Sequence, residues 1–325
     1  MAVTSDVTRV QEELVDALKW GEEDRARALL RQLGAGPRKI RAVLESMLAA
    51  PDALVRQAAV FGLGELGGAA IARRLEQQLA LEEARKDYDG DSVADAITQT
   101  LGRIEEAGAR TTLVRRLERL IARGADLSDV NAVARALWRK RHPDLLPAIR
   151  EAMKQLAPPF LNSLHGLLLL LEKSPEALRS WVRDPSTPME HKTEVLTVLE
   201  EEVPDPLIST LPSFISAAHA LMESAVSQNN EAAYYCERLF VMLLLHREHL
   251  LPALPEEARS ELRTVARSLV PAASPNCSFR AAVLLQFVGR PEDAAVIEAN
   301  RPEDSVGAEA FDAIARALHS RQGQP

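Results

Sequence analysis

The feature that most restricts this chain is an internal repeat with a period of 38 residues. Residues 55–66 read Val-Arg-Gln-Ala-Ala-Val-Phe-Gly-Leu-Gly-Glu-Leu and align with residues 93–104. Val55 falls on Val93, Ala58 on Ala96, Leu63-Gly64 on Leu101-Gly102, and Leu66 on Ile104. The offset persists beyond the glycines, where Leu75 falls on Leu113 and Leu79 on Leu117. A third, weaker copy carries Ala132, Ala136 and Leu137, then Leu145, Leu146 and Ile149. A fourth, distant copy begins at Phe279-Arg280 and continues through Ala282, Val283 and Phe287. A unit of this length cannot bury its own apolar face and must stack on a neighbour.

The spacing inside and outside the repeats is helical. Val10, Leu14, Ala17 and Leu18 mark one apolar stripe. Ala26, Leu29, Leu30 and Leu33 mark a second, stopped by Gly34, and Ile40, Val43, Leu44 and Leu48 mark a third. Nothing alternates in the manner of a strand. Pro and Gly recur at helix-length intervals, so they outline helices joined by short turns. Hydrophobic residues make up 46% of the chain but aromatics only 4%, so Leu, Ala, Val and Ile must fill the interior. The fold class expected is all-α, an α-solenoid of stacked antiparallel helical hairpins with a more divergent C-terminal half. Residues 1–156 form the N-terminal repeats, clearest at 52–123. Residues 157–320 continue the solenoid, with a boundary at Ala-Pro-Pro (157–159) and a long helix over 230–249. Residues 321–325 read as a disordered tail.

The order Val-Arg, small residues at helical spacing, Leu-Gly-x-Leu/Ile, then a second helix with spaced leucines resembles HEAT repeats. It is most similar to the short bacterial type named after phycobilisome lyases. Residues 52–84 match that pattern best; residues 91–123 match with Ala94 in place of the arginine found at Arg56; residues 127–156 match more loosely. The resemblance implies that the second helix of each pair lines a concave binding surface.

Four motifs invite chemistry. Residues 62–67, Gly-Leu-Gly-Glu-Leu-Gly, fit the dinucleotide pattern by letter but follow a helical stripe, not a strand, so they read as repeat packing. Residues 87–91, Asp-Tyr-Asp-Gly-Asp, lack the glycine and terminal glutamate positions of a calcium loop; they read as an inter-repeat turn with Asp91 capping the next helix. His246 and His249 stand one turn apart with no third ligand evident. Cys236 and Cys277 sit in apolar stretches and read as buried free thiols of a reducing compartment. No cofactor or metal is expected. No signal peptide or membrane span is visible, which places the chain in the cytoplasm.

Charge supplies the remaining signal. The formal net charge is −8, which disfavours nucleic acid and anionic membranes as general partners. It divides into +1 over residues 1–150 and −9 over 151–325, while residues 110–150 alone carry +6. Arg115, Arg116, Arg119 and Arg123 fall on one broad helical face, and Arg135, Trp138 and Arg139 form a similar stripe on the next hairpin. With Gln77 and Gln78 they are the expected partner-binding residues.

Two functions fit. The first is a non-catalytic scaffold or adaptor, not an enzyme, that binds another protein through an acidic or extended segment. The alternative is a HEAT-like enzyme or nucleic-acid binder using the basic stripe of residues 110–150, similar to alkylpurine DNA glycosylases or to bilin lyases. A glycosylase-like site needs Trp20, Trp138 and Trp181 to converge near an acid such as Asp129 or Asp144.

Overall fold

The computed structural model describes residues 2–34, 36–156, 163–223, 230–272 and 274–321. Among them every regular element is a helix. The chain divides into two compact units, Met1–Ala157 and Pro158–Pro325. The residues proposed as a boundary, 157–159, and all but the first residue of the proposed tail lie outside the described residues. Arg321 is described, and its guanidinium donates to the carbonyls of Gly289 (3.1 Å) and Gln286 (2.5 Å).

In the first unit α1 (Ala2–Lys19), α2 (Glu23–Leu30) and α3 (Pro37–Met47) precede three hairpins. These are α4 (Ala53–Leu66) with α5 (Ala69–Arg85), α6 (Tyr88–Arg103) with α7 (Ala107–Ala122), and α8 (Leu127–Arg139) with α9 (Leu146–Gln155). First helices stack on first helices, α4 on α6 and α6 on α8; second helices stack likewise, α5 on α7 and α7 on α9. The 38-residue period is this stacking. Leu75, Leu79, Leu113 and Leu117 are all buried between the layers.

The repeated glycines explain how close the stack is. A Cβ on Gly64 would lie 2.5 Å from the Thr100 methyl of α6, and one on Gly102 would lie 3.2 Å from the Ala136 Cα and Cβ of α8. One repeat position therefore seats each first helix on the next. Gly62 faces the other way, against Leu30 and Leu44. Gly67 closes α4 at φ 61°, a left-handed conformation that favours glycine. None of these glycines opens a helix N-terminus at a strand end, so the dinucleotide geometry is absent here. Gly64→Leu should push α4 and α6 apart and cost about 1–3 kcal/mol as overpacking. An unchanged melting temperature would show that this contact does not seat the two hairpins.

The turn at residues 87–91 departs from expectation. The cap of α6 is Asp87, whose carboxylate accepts the Gly90 N–H at 2.7 Å, and Asp91 sits inside the first turn. That bond, opposed slightly by burial and aided by Arg85, holds the Asp87 carboxyl below the ordinary range.

The second unit repeats the two-layer scheme. It contains α10 (Ser163–Glu172), α11 (Pro175–Arg183), α12 (Met189–Leu199), α13 (Asp205–Ile208), α14 (Leu211–Glu223) and α15 (Asn230–Leu245). Then follow α16 (Arg247–Ala253), α17 (Glu256–Leu269), α18 (Pro275–Val288), α19 (Ala294–Ala299) and α20 (Ser305–His319). One layer runs α10, α12, α15, α18, α20, and a second runs α11, α14, α17. Within this unit the divergent segment is thus also a stack of hairpins.

Two expectations in this unit are corrected. The helix foreseen over 230–249 breaks at His246, which leaves helical geometry (φ −112°, ψ 23°) while its ring meets the Glu200 carbonyl at 2.9 Å. The fourth repeat copy does not keep its register: Ala282 is buried, but Phe279 and Phe287 face outward. Inward positions of α18 are taken by Ala281, Leu284 and Leu285 instead.

Candidate functional site

The basic stripe of residues 110–150 belongs to α7 and α8, and the structure divides it into an inside and an outside. Among the exposed residues of the second helices, one row at four-residue spacing is Gln77, Leu81 and Arg85 on α5, and another is Arg115 and Arg119 on α7 with Arg123 just past its end. The two rows are register partners, each pair 38 residues apart. Arg115 binds Glu76 at 2.9 Å and Arg119 binds Glu83 at 2.9 Å, so α5 and α7 are laced together across the repeat boundary. Arg123 reaches Asp129 at 3.4 Å. The ridge is therefore a mosaic of both charges and not the basic groove that the composition of residues 110–150 implies. The Arg115–Glu76 pair is exposed on both sides and contributes only about 0–1 kcal/mol, so a partner's charges compete for it readily, whereas Glu83 is 11% exposed.

Leu81 stands in the middle of this mosaic and is 60% exposed. Sequence reasoning missed it, because a leucine on an amphipathic helix is ordinarily core. The signal was available: Leu81 falls on Arg119 in the repeat, and a position that takes arginine in one copy faces water.

Three expected partner-binding residues are corrected. Gln78 is 4% exposed, Arg116 1% and Trp138 2%, so none of them forms a surface. Gln78 donates to the Leu48 carbonyl (3.3 Å) and to Glu82 (2.7 Å). Arg116 turns inward across its own hairpin, donating to the Ala94 carbonyl and the Thr98 hydroxyl, and to Asp95 at 3.1 Å. Burial pushes the Arg116 guanidinium down and the Asp95 carboxyl up, and their mutual attraction opposes both shifts. Arg135 and Arg139 are half-buried on α8.

The buried arginines expose a substitution between repeats. In the first hairpin Arg56 on α4 reaches across to Glu82 on α5 through two hydrogen bonds, 2.9 and 3.2 Å, and donates to the Ala50 and Pro51 carbonyls. In the second hairpin Ala94 occupies the Arg56 position, and Arg116 occupies that of Gln78. The buried cation has moved to the opposite helix and fills the same inter-helix layer.

The other motifs resolve as local structure. His246 meets the Glu200 carbonyl, whereas His249 pairs with Asp205 at 3.2 Å. Among the described residues no group of three or more His, Cys, Asp or Glu could hold a metal. Cys236 and Cys277 are free and buried; burial, and for Cys236 also its neighbour Cys277, pushes the thiols up to about 12 and about 11. Trp20 is exposed just past α1, Trp138 is buried, and Asp129 is held by Arg123 at 3.4 Å. No helix among the described residues is long and apolar enough to cross a membrane.

No family model matches the chain, and no curated protein matches it. Among solved structures it is similar to human deoxyhypusine hydroxylase in complex with glycerol, at 18% identity and a TM-score of 0.32, over 99% of this chain and 98% of that one. The class defined by the fold is an all-helical repeat protein, an α-solenoid. The expectation that such a chain is not an enzyme is corrected by this match, which is to an enzyme: a helical stack without a catalytic motif does not exclude chemistry. Likeness at this level assigns no reaction to the present chain.

Proposed function

We propose that this protein binds another protein through the second-helix ridge of its first unit. Leu81 is the apolar contact, and Gln77, Arg85, Arg115, Arg119 and Arg123 share its exposed rows. The observation that carries the reading is the exposed Leu81 at a repeat position otherwise given to arginine. Interfaces place an apolar centre inside a polar rim, and arginine is enriched in them. The partner is an extended segment with acidic residues spaced to displace Glu76 and Glu83 from the arginines.

A photo-crosslinking residue at position 81 should capture a protein in cells, and Arg115→Glu with Arg119→Glu should abolish the adduct while leaving the fold intact. Capture that survives the charge reversal would sink the reading. The alternative, an enzyme or nucleic-acid binder working through residues 110–150, requires salt-dependent binding to duplex DNA, and a titration at two salt concentrations separates the two.

A further inference from the structure

The second unit holds a cavity of about 400 Å³ where α16, α17 and the end of α18 meet. Leu251, Pro252 and the Phe287 ring give it an apolar wall. Arg247 and Arg259 stand over that wall.

These two arginines differ from several others of this unit that are held closely by a carboxylate. Arg263 clamps the fully buried Asp293 with bonds of 2.6 and 2.9 Å. Arg238 is paired with Glu200, Arg280 with Glu237, and Arg301 with Asp312. Arg259 instead donates one Nη2 bond to the Pro252 carbonyl at 2.8 Å, and its Nε is buried without a hydrogen-bond partner. Arg247 reaches the Leu244 carbonyl at 3.5 Å and lies 5.8 Å from the Phe287 ring centroid. Its one carboxylate neighbour is Glu248, at 3.9 Å and 92% exposed. A guanidinium offers a fixed fork of donors suited to a carboxylate, and a buried donor left unsatisfied is costly. The cavity thus sets two arginines that no carboxylate holds closely beside an apolar face, of which Phe287 is 41% exposed.

The geometry points to a peptide-binding site for an acidic segment in which an aromatic or branched apolar side chain stands next to a carboxylate. The apolar side chain packs against Phe287 and Leu251, and the carboxylate bridges Arg247 and Arg259. The exposed rim favours a peptide over a free small molecule, since small-ligand sites enclose roughly 70–90% of their ligand and this one lies open. Charge complementarity sets the sign, because the charged residues lining the cavity are two arginines and one glutamate, Glu248, which is 92% exposed. The site lies wholly in the second unit and is independent of the Leu81 ridge.

The test uses the full-length protein and a fluorescein-labelled peptide, Glu-Asp-Phe-Glu-Glu, read by anisotropy. Binding should saturate. Arg247→Gln, and separately a Phe-to-Ser change in the peptide, should each weaken it about tenfold, the size of one charge-assisted hydrogen bond or one buried apolar side chain. Arg259→Gln should do the same, and a thermal melt shows whether that variant keeps its fold; Arg247→Gln carries the test if it does not. Arg301→Gln, outside the cavity, should leave peptide affinity unchanged. No saturable binding, equal affinity for Arg247→Gln and wild type, or loss through Arg301→Gln would each overturn the proposal. So would free 3-phenylpropionate binding as tightly as the peptide, which would make the cavity a small-molecule site.

Discussion

Replacing Arg56 by methionine is expected to destabilise the first unit by about 3–5 kcal/mol, read as a shift of its urea midpoint. Glu82, 1% exposed, would lose both guanidinium bonds and keep only Gln78 and, at 3.8 Å, the half-exposed Arg85 beside it. The Ala50 and Pro51 carbonyls would lose their donor as well. The packing volume of methionine does not offset that electrostatic loss, because the cost arises from the unpaired partner. Adding Glu82→Leu should therefore restore most of the stability, since the buried charge and its missing counter-charge then disappear together. A single substitution costing under about 1 kcal/mol would mean that the hairpin repacks freely around Glu82.

Trp138→Ala should be comparably damaging, by about 3–5 kcal/mol, for a different reason. Trp138 is the largest of the fully buried side chains among the described residues, and its removal leaves a cavity beside α8. Lys140 from the end of α8 reaches the Ile104 carbonyl at the end of α6, a polar contact beside the close approach of Gly102 to Ala136. The Arg141 guanidinium, 5.0 Å above the ring, would lose its aromatic support. Trp138→Phe keeps most of the apolar volume and should cost less than half as much. A midpoint unchanged by Trp138→Ala would place the ring at the surface and return it to the binding residues. If the ridge is the binding surface, capture at position 81 should persist in Trp138→Ala at temperatures where that variant remains folded.

Much of the architecture was legible because its cause is periodic. Burial of Leu75 and Leu79 on one copy and Leu113 and Leu117 on the next follows from a fixed offset, and the alignment of Gly64 with Gly102 follows from a close helix contact made once per repeat. The site was less legible. Arg115, Arg116, Arg119 and Arg123 form one stripe by spacing, yet Arg116 lies inside and the others outside. A stripe of like residues reports the direction of side chains to within about one helical quadrant, and the edge of that quadrant is where an arginine either snorkels to water or meets buried acceptors. The substitution of Ala94 for arginine was visible in the alignment. Its meaning depended on Arg116 arriving from the partner helix to fill the vacant layer.

The same division holds for the chain as a whole. The sequence by itself determined that the protein is helical, that its hairpins stack with a 38-residue offset, and that small residues seat one first helix on the next, because these follow from short-range sterics and apolar periodicity. Tertiary structure alone decided which charges are structural and which are available. Whether Arg56, Arg116 and Arg263 are spent on buried partners, or Arg247 and Arg259 are left facing a cavity, depends on residues brought from far along the chain. Electrostatic commitment is a property of distance and burial, and neither is written in the order of the residues.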